Sequence, residues 1–430
     1  MKIIEEVLEK VMPSKEEEKK LNKVVMELEE KIKKLINKAN VMLVGSVAKG
    51  TYLKNSLDID FFVLFPKNYE KKEMEKIVIE IGKKILYEFK VQYAEHPYIR
   101  GYYKGYQVDI VPCYKIKEIK EMKSAVDRTP FHTEFVKKHM DERMKNETRV
   151  LKQFLKGIGC YGAEAKIEGF SGYLAELLII KYKSFMDVIK NAAKWKGKVF
   201  LKLNGNGKKF DEEFVFIDPV DPRRNVAAAL SPEKFKIFIQ ACKDFLKEPS
   251  IKFFFPSPPP KLSVDEIEKK LENFVGICFR KPNLVDDILY PQLKKSAKSL
   301  ENLFIQYDFK PLRKVWYANE EVFVLVELEK KEIEKEKLHM GPPLKEKEHV
   351  KKFISKWRDK KPFEKNGRIW VKVKREYTNA EKLLKNKIID ISLGKNIDEI
   401  KNKIKICGKD TSKFVNFWSE YFCELPPWKR

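Results

Sequence analysis

No apolar stretch in this chain of 430 residues approaches the ~18 residues that a membrane-spanning helix needs. The N-terminus (MKIIEEVLEKVMPSKEEEKK) is charged and helical in pattern, with no apolar signal region before a small-residue cleavage site. Cysteine is sparse and scattered: six residues, at 113, 160, 242, 278, 407 and 423, with no C-x-x-C pair. That spacing offers neither a disulfide framework nor a zinc ribbon. No internal repeat is present. These absences lead to the expectation of a cytosolic, cytoplasmic protein.

What the chain does have is size and positive charge. Its length exceeds what one hydrophobic core usually serves, so two to four domains are expected. Hydrophobic residues make up 43% and charged residues 36%, a globular balance and not a disordered one. Lysine and arginine number 89 against 64 aspartates and glutamates, a net charge of +25. A surplus of that size calls for a polyanionic partner, most commonly nucleic acid. A charge-laced, heat-adapted surface is the other reading, and charge alone does not separate the two.

Residues 1–38 read as helix broken at Pro13, and Ser14 followed by Glu17 forms a capping box that restarts it. VMLVGSVAKGT supplies a short β-branched strand (41–44) and a small-residue turn. LDIDFFVLFP (57–66) alternates and stops at Pro66 as a strand does. Residues 70–90 return to helical periodicity, and YYKGYQVDIVP (102–112) is strand again. The result is an α+β unit ending near residue 135.

Residues 140–248 are mostly helical. Within them KVFLKL (198–203) and FVFIDP (214–219) flank an Asn-Gly-Asn-Gly run at 204–207, which predicts a β-hairpin. FFFPSPPPK (253–261) cannot be regular structure and marks a boundary. Helix (264–273), strand (274–279), helix (286–306) and paired strands (312–318, 322–328) then predict a second small α+β domain. From about 345 the chain is Lys- and Trp-rich, with one clear strand at 368–374.

Asp58 and Asp60 sit two apart in a strand, so both side chains leave one face, while Ile59, Phe61, Val63 and Phe65 point to the other. Carboxylates held side by side repel unless a cation sits between them. Oxygen-only ligands on a stiff strand suit magnesium, which keeps its waters and bridges phosphates. Asp109 is a third acid in an otherwise apolar strand (Val108, Ile110, Val111). If the two strands are neighbours, three carboxylates converge as two-metal phosphoryl transfer requires. A D-x-D pair alone is more often a solvated strand end. It gains weight from G-S-x-A-K-G-T at 45–51, where Gly45 permits a tight turn, Ser46 supplies a hydroxyl and successive backbone N–H groups form an anion nest. That combination is nucleotide-transfer chemistry.

GSVAKGT, LDIDFFVLF and YQVDIVP together resemble the DNA polymerase β-type nucleotidyltransferase superfamily. SAVDRTPFHTEFV (124–136), RVLKQFLKGIGCYG (149–162), EGFSGYLAELL (168–178) and DPVDPRRNVAAAL (218–230) resemble the archaeal class I CCA-adding enzymes, which are tRNA nucleotidyltransferases. The resemblance covers the whole chain, with motifs dense in the first 240 residues and weak beyond Pro256. It implies a multidomain α+β fold: a polymerase β-like nucleotidyltransferase head (1–138), a mostly helical neck with a nucleotide-recognition segment (139–255), a small α+β body (256–344) and a basic, tRNA-binding tail (345–430).

The same resemblance implies template-independent addition of C, C and A to the 3′ end of tRNA from CTP and ATP, by a homodimer. Magnesium would be held by Asp58, Asp60 and Asp109, and Asp109 would also help deprotonate the attacking 3′-hydroxyl. Gly45, Ser46 and Lys49 would hold the incoming nucleotide. Lys49 stands where the family often has arginine; a point charge still binds phosphate, without the bidentate fork. His132, Lys152 and Tyr161 would bind triphosphate and ribose, and Arg224 would read the base.

Read from the residues alone, Val150, Leu151, Phe154, Leu155 and Ile158 make an apolar helical stripe. Lys152 then falls on the opposite face with Lys145, Arg149 and Lys156, a cationic ridge suited to phosphates. His132, after Pro130, reads as a loop histidine, and Tyr161 equally as a core aromatic. Arg224 carries only donors, which suit the acceptor edges of cytosine and adenine and meet N1–H of guanine or N3–H of uracil poorly.

Residues 345–361 carry eight basic and three acidic side chains. The strand after them places Arg368, Trp370, Lys372 and Lys374 on one face, suited to phosphates and an exposed base. A Lys-rich edge strand that resists aggregation is the alternative. Three rival functions stand beside the main reading: an adenylyl-only RNA transferase, a non-catalytic tRNA-binding protein, and a small-molecule nucleotidyltransferase that would leave the basic C-terminal half without a task.

Overall fold

Ser14 accepts the backbone N–H of Glu17 while the Glu17 carboxylate takes the Ser14 N–H, so the capping box restarts the chain after Pro13. In this computed structural model, which describes residues 2–54, 56–93, 96–204 and 207–430, the helices on either side of that break are α1 (Lys2–Val11) and α2 (Lys15–Leu35). The chain divides into two units, one reaching Pro259 and joined by Glu424–Arg430, the other Pro260–Cys423. Among the described residues no helix is long and apolar enough to cross a membrane.

In the first unit β1 (Asn40–Val44), β2 (Asp58–Phe65), β3 (Tyr87–Tyr93), β4 (Pro97–Tyr103) and β5 (Tyr106–Tyr114) make a five-stranded sheet in the order β1-β2-β5-β4-β3. β2 and β5 pair in parallel and their neighbours antiparallel. The short helix α3 (Gly45–Lys49) follows β1, and α4 (Lys71–Ile85) follows β2. α2 and α4 cover one face, burying Leu28, Ile32, Val78 and Ile81 against Ile59, Phe61, Val63, Phe65, Val108 and Ile110. The alternation expected of β2 therefore holds.

Two expectations change here. The helix foreseen over 70–90 ends at Ile85, because the aromatic, alternating YEFKVQY joins the sheet as β3. The segment foreseen as one strand over 102–112 is a hairpin of β4 and β5. Lys104 (φ 49°) and Gly105 (φ 83°) both take the left-handed backbone that a tight two-residue turn requires.

Helices α5 (Thr129–His139), α6 (Glu142–Gly157), α7 (Gly172–Tyr182), α8 (Phe185–Ala192) and α9 (Pro232–Lys247) share a second core with α1. Phe154 is its centre, with the rings of Phe185, Phe238, Phe245 and Phe254 at 5.4 to 6.4 Å. The C-terminus returns to this core through Trp428, stacked on Phe253 at 5.8 Å.

The predicted hairpin is corrected. β6 (Val199–Leu201) and β7 (Phe214–Phe216) pair in parallel. A two-residue turn joins only antiparallel strands, whereas a parallel pair needs a longer crossover connection. Of the Asn-Gly-Asn-Gly run, Gly205 and Asn206 lie outside the described residues.

In the second unit α10 (Val264–Lys270), β8 (Phe274–Arg280), α11 (Asp286–Gln306), β9 (Pro311–Ala318) and β10 (Glu321–Leu328) follow the predicted order. Next come β11 (Glu336–Pro343), α12 (Lys347–Lys356), β12 (Phe363–Lys365), β13 (Arg368–Lys374), α13 (Ala380–Lys387), α14 (Lys395–Asp398), β14 (Lys405–Cys407) and α15 (Val415–Tyr421). One sheet has the order β14-β8-β10-β9 and another β11-β13-β12. Ile369 and Val371 are buried while Lys372 and Lys374 are exposed, as alternation demands. β13 lies between β11 and β12, but β12 pairs only with its first three residues, Arg368, Ile369 and Trp370. Lys372 and Lys374 therefore lie on the stretch paired with β11 alone, and the edge-strand explanation still applies to them.

Cys278 and Cys407 form a disulfide between β8 and β14, against the expectation of unpaired cysteines. They are 129 residues apart, and only the sheet register brings them together. Spacing along the chain carried no trace of it.

Candidate active site

The register of β2 and β5 sets Asp60 directly beside Asp109, with Asp58 beside Gln107. Residues paired in register on parallel strands share a face, so the three carboxylates converge. Gln107 Nε2 donates to Asp58 at 2.9 Å. From β4, Arg100 donates to both Asp109 oxygens, at 2.7 and 2.6 Å. Burial raises the Asp58 carboxyl, and burial with the charges of Asp109 and Asp58 pushes Asp60 up to about 7. Acids this close resist joint ionisation unless a cation compensates them, and Arg100 supplies one positive charge. Among the described residues no group of three His, Cys, Asp or Glu side chains is assembled tightly enough to cage a metal ion.

Gly45 explains itself at this point. Its φ is +73°, and a Cβ there would lie 2.0 Å from Asp60 Oδ2. The turn that opens α3 thus touches the carboxylate, and Ser46 is in its first turn. At the other end of α3, Lys49 is buried with its Nζ 2.6 Å from Glu176 of α7. Thr51 donates to the other Glu176 oxygen at 2.6 Å, and Lys152 Nζ lies 3.1 Å from that oxygen. Burial would raise the Glu176 carboxyl, but the Lys49 and Lys152 ammonium groups hold it down at about 2.

The exposed cationic ridge expected of α6 is corrected. Lys152 and Arg149 are both buried, Arg149 donating to the Tyr52 carbonyl at 3.1 Å. The polar face of α6 packs on the loop after α3 instead of facing solvent, so amphipathic patterning reported an interdomain contact as a surface. Lys156, half-buried, does remain beside the site. It lies 5.7 Å from the Tyr161 ring, and burial and Lys152 lower its ammonium while Asp58 opposes them. Tyr161 reaches the start of α7, where a Cβ on Gly172 would meet its hydroxyl at 3.1 Å and Lys152 Nζ at 3.6 Å.

Asp218 makes a second hub. Its buried carboxylate accepts from Tyr173 Oη (3.2 Å) and the Val220 N–H (3.0 Å) on one oxygen. On the other it meets His132 Nε2 (2.9 Å) and Arg224 (3.0 Å). Burial works against this charge, yet His132 and Arg224 hold the carboxyl at about 2. An ionised carboxylate only accepts, so Nε2 of His132 carries the proton. His132 is no loop residue: it sits on α5 and stacks on Tyr173 with ring centroids 4.0 Å apart. Tyr173 in turn lies under Lys49 Nζ at 5.9 Å, which joins the two hubs.

The structure therefore gathers Gly45, Ser46, Lys49, Asp58, Asp60, Asp109, His132, Lys152, Tyr161 and Arg224 within the first unit. Sequence reasoning missed Glu176, Asp218, Tyr173 and Arg100. The signal for the two acids was there: each is a lone carboxylate in an apolar run, GYLAELLIIKY and FVFID. An acid in that setting must be paired.

Two carboxylates on one strand and a third on its parallel neighbour, behind a Gly-Ser turn, define a nucleotidyltransferase. The family model described as "Nucleotidyltransferase domain" matches residues 25–138, and "tRNA nucleotidyltransferase, second domain" matches 146–255. "CCA-adding enzyme, C-terminal domain" matches 272–408. The CCA-adding enzyme of Archaeoglobus fulgidus is 41% identical over 92% of this chain and 92% of its own. That of Methanocaldococcus jannaschii is 38% identical over 94% of each. A solved Cid1 poly(U) polymerase has 17% identity and a TM-score of 0.46 over 58% of this chain and 94% of that chain. The chain belongs to the CCA-adding enzyme family.

Proposed function

We propose that the protein adds C, C and A to the 3′ end of tRNA, using CTP and ATP and releasing pyrophosphate. The observation that carries this is the register that sets Asp60 beside Asp109 in a chain of this family. Asp58, Asp60 and Asp109 offer an all-oxygen set of mutually repelling carboxylates, which fits magnesium. When bound, the ion supplies neutralisation of phosphate charge. The 3′-oxygen of the tRNA attacks the α-phosphorus, the bond to the β-phosphate breaks, and Asp109 helps take the hydroxyl proton.

Gly45 and Ser46 bring backbone and hydroxyl to the nucleotide. Lys49, Lys152, Tyr161 and His132 line the side assigned to triphosphate and ribose, and Arg224 reads the base. Four parts serve this chemistry, a head (1–138), neck (139–255), body (256–344) and tail (345–430), working in the cytoplasm as a homodimer. The basic face of β13 offers Arg368, Trp370, Lys372 and Lys374 to a tRNA stem, which proteins grip by shape and phosphate contacts.

The test uses a tRNA transcript ending at the discriminator base, magnesium, and each nucleoside triphosphate singly and combined, resolved by length. Two additions with CTP and one more when ATP is present are expected. A long ladder with ATP alone would make this an adenylyl-only transferase. Tight tRNA binding without extension would make it a non-catalytic binder.

A further inference from the structure

Arg224 is not a free side chain. One guanidinium nitrogen is pinned on Asp218 at 3.0 Å, while about a third of the side chain stays exposed. The pin is itself immobile, because Tyr173, Val220 and His132 fill the remaining positions on the carboxylate. The backbone repeats the constraint. The Asp218 N–H donates to the Arg224 carbonyl at 3.1 Å, and the Arg224 N–H to the Asp221 carbonyl at 2.9 Å. Arg223, next in sequence, is held differently, on Asp221 at 3.0 Å, and most of its side chain is exposed.

A guanidinium has five donors in a rigid planar fork, carried on a rotatable aliphatic stem. Free to turn, it would find acceptors on uracil O4 or guanine O6 as readily as on cytosine or adenine. Discrimination by hydrogen bonds needs the donors held within about 0.5 Å and 10–20°. An apolar strand end has no packing reason to bury a carboxylate with four donors around it. We propose that Asp218 is the specificity-positioning residue of this enzyme, holding Arg224 at one angle so that its open donors accept cytosine and adenine and refuse guanine and uracil. This rests on the assignment of Arg224 to the base. Asp218 itself touches no nucleotide in this role.

The experiment compares the full-length wild type, Asp218→Asn and Arg224→Ala on tRNA ending at the discriminator base or after two cytidines. Incorporation of GTP and UTP is measured relative to CTP and ATP, with melting temperature and tRNA Kd alongside. Asp218→Asn is isosteric and is expected to raise relative misincorporation about tenfold, the scale of one oriented contact to a base, with tRNA Kd unchanged. A folded Asp218→Asn that is slower yet as selective as wild type overturns the proposal, since that is what a purely structural role predicts.

If Arg224→Ala leaves selectivity untouched, the base assignment fails and this inference fails with it. If Arg224→Ala relaxes selectivity and Asp218→Asn does not, only the inference fails. Should Asp218→Asn not fold, Tyr173→Phe decides: it removes one donor from the same carboxylate, and relaxed selectivity supports the proposal while unchanged selectivity overturns it.

Discussion

Lys49 and Glu176 stand 127 residues apart in the chain and 2.6 Å apart in space, both buried. One closes the short helix α3, whose first residue, Gly45, touches Asp60; the other belongs to α7 of the second core. With Lys152 and Thr51 they close a network in which one acid balances two bases. Such a network stabilises only while complete, because removing one member leaves buried charge uncompensated.

Replacing Glu176 with Gln should therefore destabilise the first unit by about 3 kcal/mol. The pH dependence has a definite sign. The folded-state carboxyl lies at about 2 against an ordinary value of 4.5. A depressed carboxyl contributes stability that is full above the unfolded value and lost as pH falls through the folded one. Melting scans from pH 6 to 2 should show Glu176→Gln losing part of the wild-type slope between about pH 4.5 and 2. An identical slope would separate Glu176 from acid stability.

Asp58→Ala and Asp60→Ala should each abolish nucleotide addition, with tRNA affinity within about twofold of wild type because neither carboxylate helps to bind a polyanion. Extension assays and filter binding check this. Comparable activity in either variant would remove the carboxylates from the chemistry.

Gly45→Ala should act on the same group from outside. The added methyl lies 2.0 Å from Asp60 Oδ2, and the left-handed backbone there costs a further ~1–2 kcal/mol for alanine. A drop of at least tenfold in kcat is expected, with tRNA Kd unchanged. Full activity would mean that the turn and Asp60 move apart without consequence.

Arg100 occupies both oxygens of Asp109. If the carboxylates take a divalent ion as proposed, this guanidinium competes with that ion for Asp109. Arg100→Gln should then bind manganese several-fold more tightly, read by electron paramagnetic resonance on the nucleotide-free protein. Unchanged affinity would leave Arg100 a structural partner only.

Much of this site was legible because strand alternation is a local property. Asp58 and Asp60 had to share a face, Ile59 and Phe61 the other, and the Ser14–Glu17 box had to start a helix. These follow from backbone geometry within a few residues. Lys152 shows the limit: its helical face was correctly drawn, but the pattern contained nothing to say that the face would be buried. A cationic face looks the same in sequence whether water or Glu176 lies opposite.

The sequence by itself determined the capping box, the alternation of β2, the nucleotide-transfer motif and the family to which the chain belongs, while the elements over 70–112 had to be redrawn from the structure. Only the tertiary structure decided that β2 lies beside β5, that Arg100 holds Asp109, that Glu176 and Asp218 neutralise the cations around the site, and that β6 and β7 run parallel. Cys278 and Cys407 belong with these. Each is a contact between residues distant in the chain, and the free energy of such a contact depends on burial and partner geometry that exist only once the cores have packed.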